Sequence, residues 1–254
     1  MKVDINCDMG ESFGPWRMGT DAEVMPHITS ANIACGAHAG DPTVMRRTVC
    51  LARDAGVAIG AHPGFADLQG FGRREMTVDA AELEDSLLAQ IGALTAIAKA
   101  EGVRLRHVKA HGALYNMAAR EPRLAEAIAR AIKAADPSLV MFGLPSSPMI
   151  HAGKAAGLQV AAEGFADRAY QPDGSLTPRS REGAVIHDPV AVVARAVRMA
   201  TEGIVLTPEG KEIALAIDTI CVHGDTPGAA ELTRQIRAAL ATAGVDVRAI
   251  GDSR

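Results

Sequence analysis

Residues 41–64 read DPTVMRRTVCLARDAGVAIGAHPG, and this one segment carries a complete helix-to-strand unit. Asp41-Pro42 sets an N-cap acceptor beside a proline, whose missing N–H costs nothing at the first helical position. Gly56 follows the helical pattern, where a left-handed residue closes the last turn. Val57–Ala61 is then a short apolar run that reads as a buried strand, and it stops at His62-Pro63-Gly64. A helix leading into a strand buried on both faces is the building block of a parallel α/β sheet.

The same grammar repeats outward in both directions. Val3–Cys7, Asn32–Cys35, Arg106–Ala110, Leu139–Leu144, Gln159–Ala162 and Thr219–His223 are further buried runs of strand length. Ser147-Pro148, Asp188-Pro189 and Thr226-Pro227 repeat the cap-and-proline signal. Asp79 with Glu82 resembles a capping box, and Gly102, Gly203 and Gly244 stand just past helical patterns. Ile204–Ala216, with Pro208-Glu209-Gly210 at its centre, reads as a β-hairpin. Seven strands alternating with helices predict a closed or nearly closed β/α barrel, one domain over residues 1–254. An open doubly wound sheet is the competing architecture. It loses its dinucleotide-binding form, because no GxGxxG follows the first strand, and no GxxxxGK[ST] occurs either.

Composition narrows the function. The 254 residues are 48% hydrophobic, enough for one large core, and a net charge of −4 offers no electrostatic case for nucleic acid or an anionic membrane. Aromatic residues are only 3%, so stacking platforms for bases are scarce. Cys7, Cys35, Cys50 and Cys221 show no CxxC spacing, and three of them lie in apolar strands as small hydrophobes. The opening MKVDINCDMGE reaches acidic residues at once, with no apolar stretch of signal length. A cytoplasmic location is expected.

In parallel α/β folds, ligands bind at the carboxyl ends of the strands. Those ends carry polar residues with unusual regularity here. They are Asn6-Cys7-Asp8 followed by Gly10-Glu11, then Gly36-Ala37-His38, His62-Pro63-Gly64, Lys109 with His111-Gly112, Glu163-Gly164 and His223-Gly224-Asp225. In a barrel these groups converge on one mouth. His27, His151 and His187 lie away from strand ends and read as structural, while His107 shares a face with Lys109 but sits deeper. Asp8, Glu11 and Glu163 offer carboxylates for proton transfer or cation binding. Lys109 and the arginines of the long polar loop Gly164–Arg181 suit an anion such as a carboxylate or phosphate. Asp8, His38 and His62 together would make a two-histidine, one-carboxylate metal site, although no HxxxH or HExxH is present. With no GxSxG and no cysteine in an exposed, activated setting, acyl-enzyme chemistry is disfavoured.

At these residues the chain closely resembles the LamB/YcsF family. The motifs are DINCDMGESFG, ITSANIACGAHAGDP, AIGAHPGFADLQGFGRR, HVKAHGALYN, AEGFADRAY, GSLTPRSREGAVI and ICVHGDTPGA, in that order from Val3 to about Gly244. The resemblance implies a distorted seven-stranded β/α barrel similar to those of glycoside hydrolases and polysaccharide deacetylases. It also implies ATP-driven opening of 5-oxo-L-proline to L-glutamate with ADP and phosphate, Mg²⁺ accompanying the nucleotide, by an A subunit that works with separate B and C subunits. On that reading Asp8 or Glu163 activates water, and Lys109 and His111 stabilise charge on the lactam or phosphoryl oxygen. Arg168 or Arg179 holds the substrate carboxylate, and Asn6, Glu11, His38, His62, His223 and Asp225 line the substrate site. Two competing readings are a stand-alone metal-dependent amide or N-acetyl hydrolase and a small-molecule-binding regulatory subunit.

Overall fold

The computed structural model describes residues 1–179, 181–224 and 228–251. In chain order the strands are β1 (Lys2–Met9), β2 (Ser30–Ala34), β3 (Ala58–His62), β4 (Leu105–Val108), β5 (Val140–Gly143), β6 (Gln159–Phe165), β7 (Ile204–Leu206), β8 (Glu212–Ala214), β9 (Thr219–Val222) and β10 (Asp246–Val247). The helices are α1 (Asp21–Val24), α2 (Pro42–Ala55), α3 (Ala80–Ala100), α4 (Gly112–Ala118), α5 (Pro122–Ala135), α6 (Pro148–Ala155), α7 (Pro189–Glu202) and α8 (Ala229–Thr242). Strands β1 to β6 pair in sequence order, β6 pairs with β9, and β9 returns to β1, so seven parallel strands close a barrel. All seven expected strands are present with bounds moved by a few residues. The expected hairpin is β7 with β8, packed outside the ring. The two-residue β10, which adds to the start of β1, has no pattern long enough to read from sequence.

Helix starts follow their caps. Asp41 accepts from Thr43 N and Val44 N, Asp79 from Ala81 N, Ser147 from Met149 N, and Asp188 from Val190 N. Gly56 and Gly203 close α2 and α7 in the left-handed conformation. Thr226-Pro227, expected to open the last helix, lies outside the described residues. Helix α3 buries Leu83, Leu87, Ile91, Leu94 and Ala98 on one face, spacings of three and four that form a single stripe. Each such leucine or isoleucine contributes roughly 1.5–3 kcal/mol relative to an exposed position.

The barrel interior is polar. Along β1, Val3, Ile5, Cys7 and Met9 belong to the apolar core, while Asp4, Asn6 and Asp8 meet residues of other strands across the lumen. Asp4 accepts from Thr29, Ser30 and Thr219. One level higher, Asn6 donates to Thr219 Oγ1 (2.8 Å), and Asn32 donates to Asn6 Oδ1 (2.7 Å) and Asp8 Oδ1 (2.9 Å). His107 then lies 2.7 Å from Asn32 Oδ1 and stacks on Phe142 at 4.3 Å between ring centroids. Its ring crosses β3 at Gly60, where a Cβ would come within 2.1 Å of His107 Nε2. Only glycine leaves that path open. Every level of this column draws partners from several strands, which fixes register and carries the polar groups up to the mouth.

Candidate functional site

Lys109, one residue beyond β4, is the central cation of the mouth. Its Nζ lies 2.9 Å from Asp8 Oδ1, 2.9 Å from Glu163 Oε1, 3.0 Å from Cys221 Sγ and 3.3 Å from Asn6 Oδ1. Burial alone would lower its pKa, but Asp8, Cys221 and Glu163 outweigh that and hold it well above the ordinary lysine value. Burial likewise pushes Asp8 up, and the His62 ring and the Lys109 ammonium overcome it, leaving the carboxyl well below the usual range. An ammonium and a carboxylate therefore stand side by side at neutral pH. Tyr115 lies against Glu163, and burial with that carboxylate raises its phenol well above its ordinary value.

Beside this pair three imidazoles gather from different turns. His62 Nδ1 is 2.8 Å from the Lys109 carbonyl, His111 Nε2 is 2.7 Å from the Phe71 carbonyl, and His111 Nδ1 faces His62 Nε2 at 3.0 Å. His38 stacks on His111 with centroids 3.7 Å apart and 2° between planes. Glu11 Oε1 is 3.5 Å from His111 Nδ1 and 3.7 Å from His38 Nε2. Burial pushes the His38 ring well below its ordinary pKa and the His111 ring down to about 3, with the neighbouring imidazoles adding to both. Gly72, at φ +62°, closes over this group, where a Cβ would meet His111 Cδ2 at 2.8 Å and His38 Cβ at 2.9 Å.

The far wall comes from the long loop after β6. His223 Nδ1 binds Asp167 Oδ2 at 2.6 Å, and Arg179 Nη2 reaches His223 Nε2 at 2.8 Å. Arg168 is buried and spends its guanidinium on the Thr177 and Ala184 carbonyls, so it braces the loop. Arg195 holds the same loop from behind through the Ala166, Arg168 and Leu206 carbonyls. The cavity these walls enclose is about 390 Å³, lined by Asp8, His62, Lys109, His111, Phe165 and Arg179 among others. Arg73, Arg120 and Arg168 also line it, so cations dominate its wall.

The structure thus gathers Asp8, Glu11, His38, His62, Lys109, His111, Glu163, His223 and both loop arginines around one mouth, but in unequal positions. Asn6 is fully buried beneath Lys109 and positions it. Glu163 is fully buried behind Lys109 and is not part of the cavity wall, whereas the carboxylates of Asp8 and Glu75 belong to residues that line it. The expected trio Asp8, His38 and His62 is partnered differently. The close-set donors around His38 are Glu11, His62 and His111, while Asp8 meets His62 at 3.4 Å and groups with Cys221 and His223. Asp225 lies outside the described residues. The sequence reading took Cys221 for a small hydrophobe and gave no role to Asp167, in the long loop, or to Tyr115. The period-two alternation from Thr219 to His223 was the signal for Cys221, whereas Tyr115, on helix α4, and Asp167 carry none. Among the described residues the four cysteines are free thiols, and no helix is long and apolar enough to cross a membrane.

The LamB/YcsF family model matches residues 3–254. The 5-oxoprolinase A subunit of Bacillus subtilis (strain 168) is 50% identical over 253 residues, covering 100% of this chain and 98% of the relative. The protein of the same name from Symbiobacterium thermophilum is 55% identical over 250 residues, 98% and 96% of the two chains. Among solved structures, the lactam utilization protein from Thermus thermophilus superposes with a TM-score of 0.93 at 50% identity, covering 98% of this chain and 100% of that one. A putative cellobiose-phosphate cleavage protein from Enterococcus faecalis V583 shares the fold alone, with a TM-score of 0.56 at 10% identity.

Proposed function

This chain belongs to the LamB/YcsF family, and on that premise we propose that it is the lactam-handling A subunit of an ATP-dependent 5-oxoprolinase, opening 5-oxo-L-proline to L-glutamate with separate B and C subunits. The observation that carries the reading is the juxtaposition of Asp8 and Lys109, 2.9 Å apart on the cavity wall opposite an arginine-bearing loop. A small lactam with one carboxylate needs those three features: a cation for the amide oxygen, a carboxylate for water, and an anchor for its own anion.

The five-membered lactam is unstrained and resonance-stabilised, so direct hydrolysis is slow. ATP supplies the driving force by phosphorylating the amide oxygen, turning a poor electrophile into a good one. Its polyphosphate suits the cationic wall of Lys109, Arg73, Arg120 and Arg179, although among the described residues no glycine-rich phosphate loop lines the cavity. Lys109, permanently protonated in its buried setting, stabilises negative charge growing on that oxygen. Asp8 Oδ1 is engaged by Asn32 and Lys109, and Oδ2, 3.4 Å from His62 Nε2, receives a proton from the attacking water. Water then adds to the activated carbon, the C–N bond breaks with the nitrogen taking up a proton, and a second water releases phosphate from the resulting acyl phosphate. Arg179 at the rim anchors the substrate carboxylate, and the Asp167–His223 pair orients it.

Turnover of 5-oxoproline with ATP and Mg²⁺, by this chain alone and with B and C subunits, tests the proposal. Glutamate formed in step with ADP only in the complete mixture, and lost in Asp8→Asn, is the expected result. No glutamate in any combination overturns it. The imidazole cluster beside Asp8 favours a second reading, metal-assisted amide hydrolysis without nucleotide, and the ATP-free arm of the same assay separates the two.

A further inference from the structure

We propose that Glu11, His38, His62 and His111 form a binding site for one divalent transition-metal ion, with zinc(II) the best match to the donor set. The argument starts from protons. The Lys109 carbonyl accepts from His62 Nδ1 and the Phe71 carbonyl accepts from His111 Nε2, because a carbonyl has no hydrogen to give. Without a further proton, each ring's remaining nitrogen carries a lone pair, and these two lone pairs face one another at 3.0 Å. Such a contact repels unless something electron-poor lies between them.

A shared proton would satisfy that pair and nothing more. The surroundings ask for more. His38 is 1% exposed and neither of its ring nitrogens has a hydrogen-bond partner, a costly state for a buried imidazole. Glu11 Oε1 stands 3.5 Å from His111 Nδ1 and 3.7 Å from His38 Nε2, and donor atoms of all four residues lie within 4.8 Å of one another. A tetrahedral zinc site with bonds of about 2.0–2.1 Å has ligand–ligand edges of about 3.3 Å. To reach that, the His62–His111 pair at 3.0 Å opens slightly and the longer separations, up to 4.8 Å, close, with His38 tilting out of its stack on His111. Three imidazoles with one carboxylate suit zinc and its first-row neighbours, whereas Mg²⁺ prefers an oxygen shell. His62 and His111 already have the backbone partner on the opposite nitrogen that fixes a ligand's tautomer.

The site abuts the reaction cavity through His62 and His111. Its occupancy is independent of the oxoprolinase reading and is measured without substrate. Protein stripped with a strong chelator and dialysed is titrated with Zn(II) against a chromophoric competitor, and metal retained through gel filtration is counted by elemental analysis. The expected result is one equivalent per chain, undisturbed by excess Mg²⁺, with a raised melting temperature and visible absorption typical of four-coordinate cobalt on Co(II) substitution. His38→Ala removes a side chain that makes no hydrogen bond, and Glu11→Gln keeps shape while removing charge. Each, shown folded by circular dichroism, should weaken binding about tenfold or more. Substoichiometric retention, equal competition by Mg²⁺, or unchanged affinity in both variants overturns the proposal and leaves a shared proton between His62 and His111.

Discussion

Replacing Gly60 with alanine puts one methyl group into the narrowest part of the barrel. The added Cβ would lie 2.1 Å from His107 Nε2, 2.2 Å from Cδ2 and 2.4 Å from Cε1, where ordinary contact begins near 3.4 Å. The ring must therefore retreat by more than 1 Å, as the difference between those distances shows. It has nowhere to go, since Phe142 stacks on it and Asn32 holds its Nε2 at 2.7 Å. Overpacking of a tight core costs about 1–3 kcal/mol, and a ring held on both sides belongs at the upper end. At about 2–4 °C per kcal/mol for a domain of this size, Gly60→Ala should lower the melting temperature by about 6–12 °C. His107→Ala should cost a similar amount, through the cavity and the unsatisfied Asn32. In the double variant the methyl meets no ring, so it should cost no more than His107→Ala alone, a coupling of about 3 kcal/mol. Urea midpoints at constant slope, with calorimetry, measure all three. A Gly60→Ala protein within about 0.5 kcal/mol of wild type, or a double variant costing the full sum, refutes the reasoning.

Other consequences follow from the same column. Lys109→Met strands Asp8 and Glu163 without their cation, which should cost about 3–5 kcal/mol in denaturant melts and abolish turnover in the assembled enzyme. Burial raises the Asp4 carboxyl to about 6, above its unfolded value of about 3.9. The native state therefore binds the extra proton between those pH values, and the contribution is present below about pH 4 and lost as pH rises through 6, about 3 kcal/mol in all. Asp4→Asn should gain on wild type by about that amount between pH 4 and 6.5, as pH-dependent urea melts would show; parallel curves would refute it. Arg179→Ala should raise KM for the lactam about tenfold or more with a smaller change in kcat, and a fall in kcat at constant KM would remove Arg179 as the carboxylate anchor.

The barrel was legible because each strand was punctuated. Asp41-Pro42, Gly56 and His62-Pro63-Gly64 mark a start, a stop and a mouth within one segment, and the structure follows all three. The strand ends named Asn6 and Asp8, which share one face of β1 with Asp4. Strand alternation could not show distances across the lumen, which is why Glu163 looked equal to Asp8 although Lys109 lies over it. Arg168 looked like a ligand residue because loop arginines usually face solvent. Here the Tyr170 hydroxyl folds the loop back by accepting the Phe165 N–H at 2.8 Å, and Arg168 is drawn inside as a brace. The imidazole cluster was visible as three strand-end histidines. That Glu11 joins it and Asp8 stands apart depends on the path of the turn after β1, which carries no periodic signal.

The closing seam of the barrel lies between its first strand and its seventh, and Asp4 and Asn6 both wait there for Thr219. During synthesis that partner emerges more than 200 residues after them. At about 5–20 residues per second the interval is roughly 10–40 s. Throughout it, one margin of β1 lacks its neighbouring strand, and Asp4 and Asn6 lack Thr219 although Thr29, Ser30 and Asn32 are already made. Nascent chains halted before Thr219 should therefore be open, protease-sensitive and prone to pairing with one another, and a chaperone that shields the amino-terminal strand would act at the stage where this chain is most exposed.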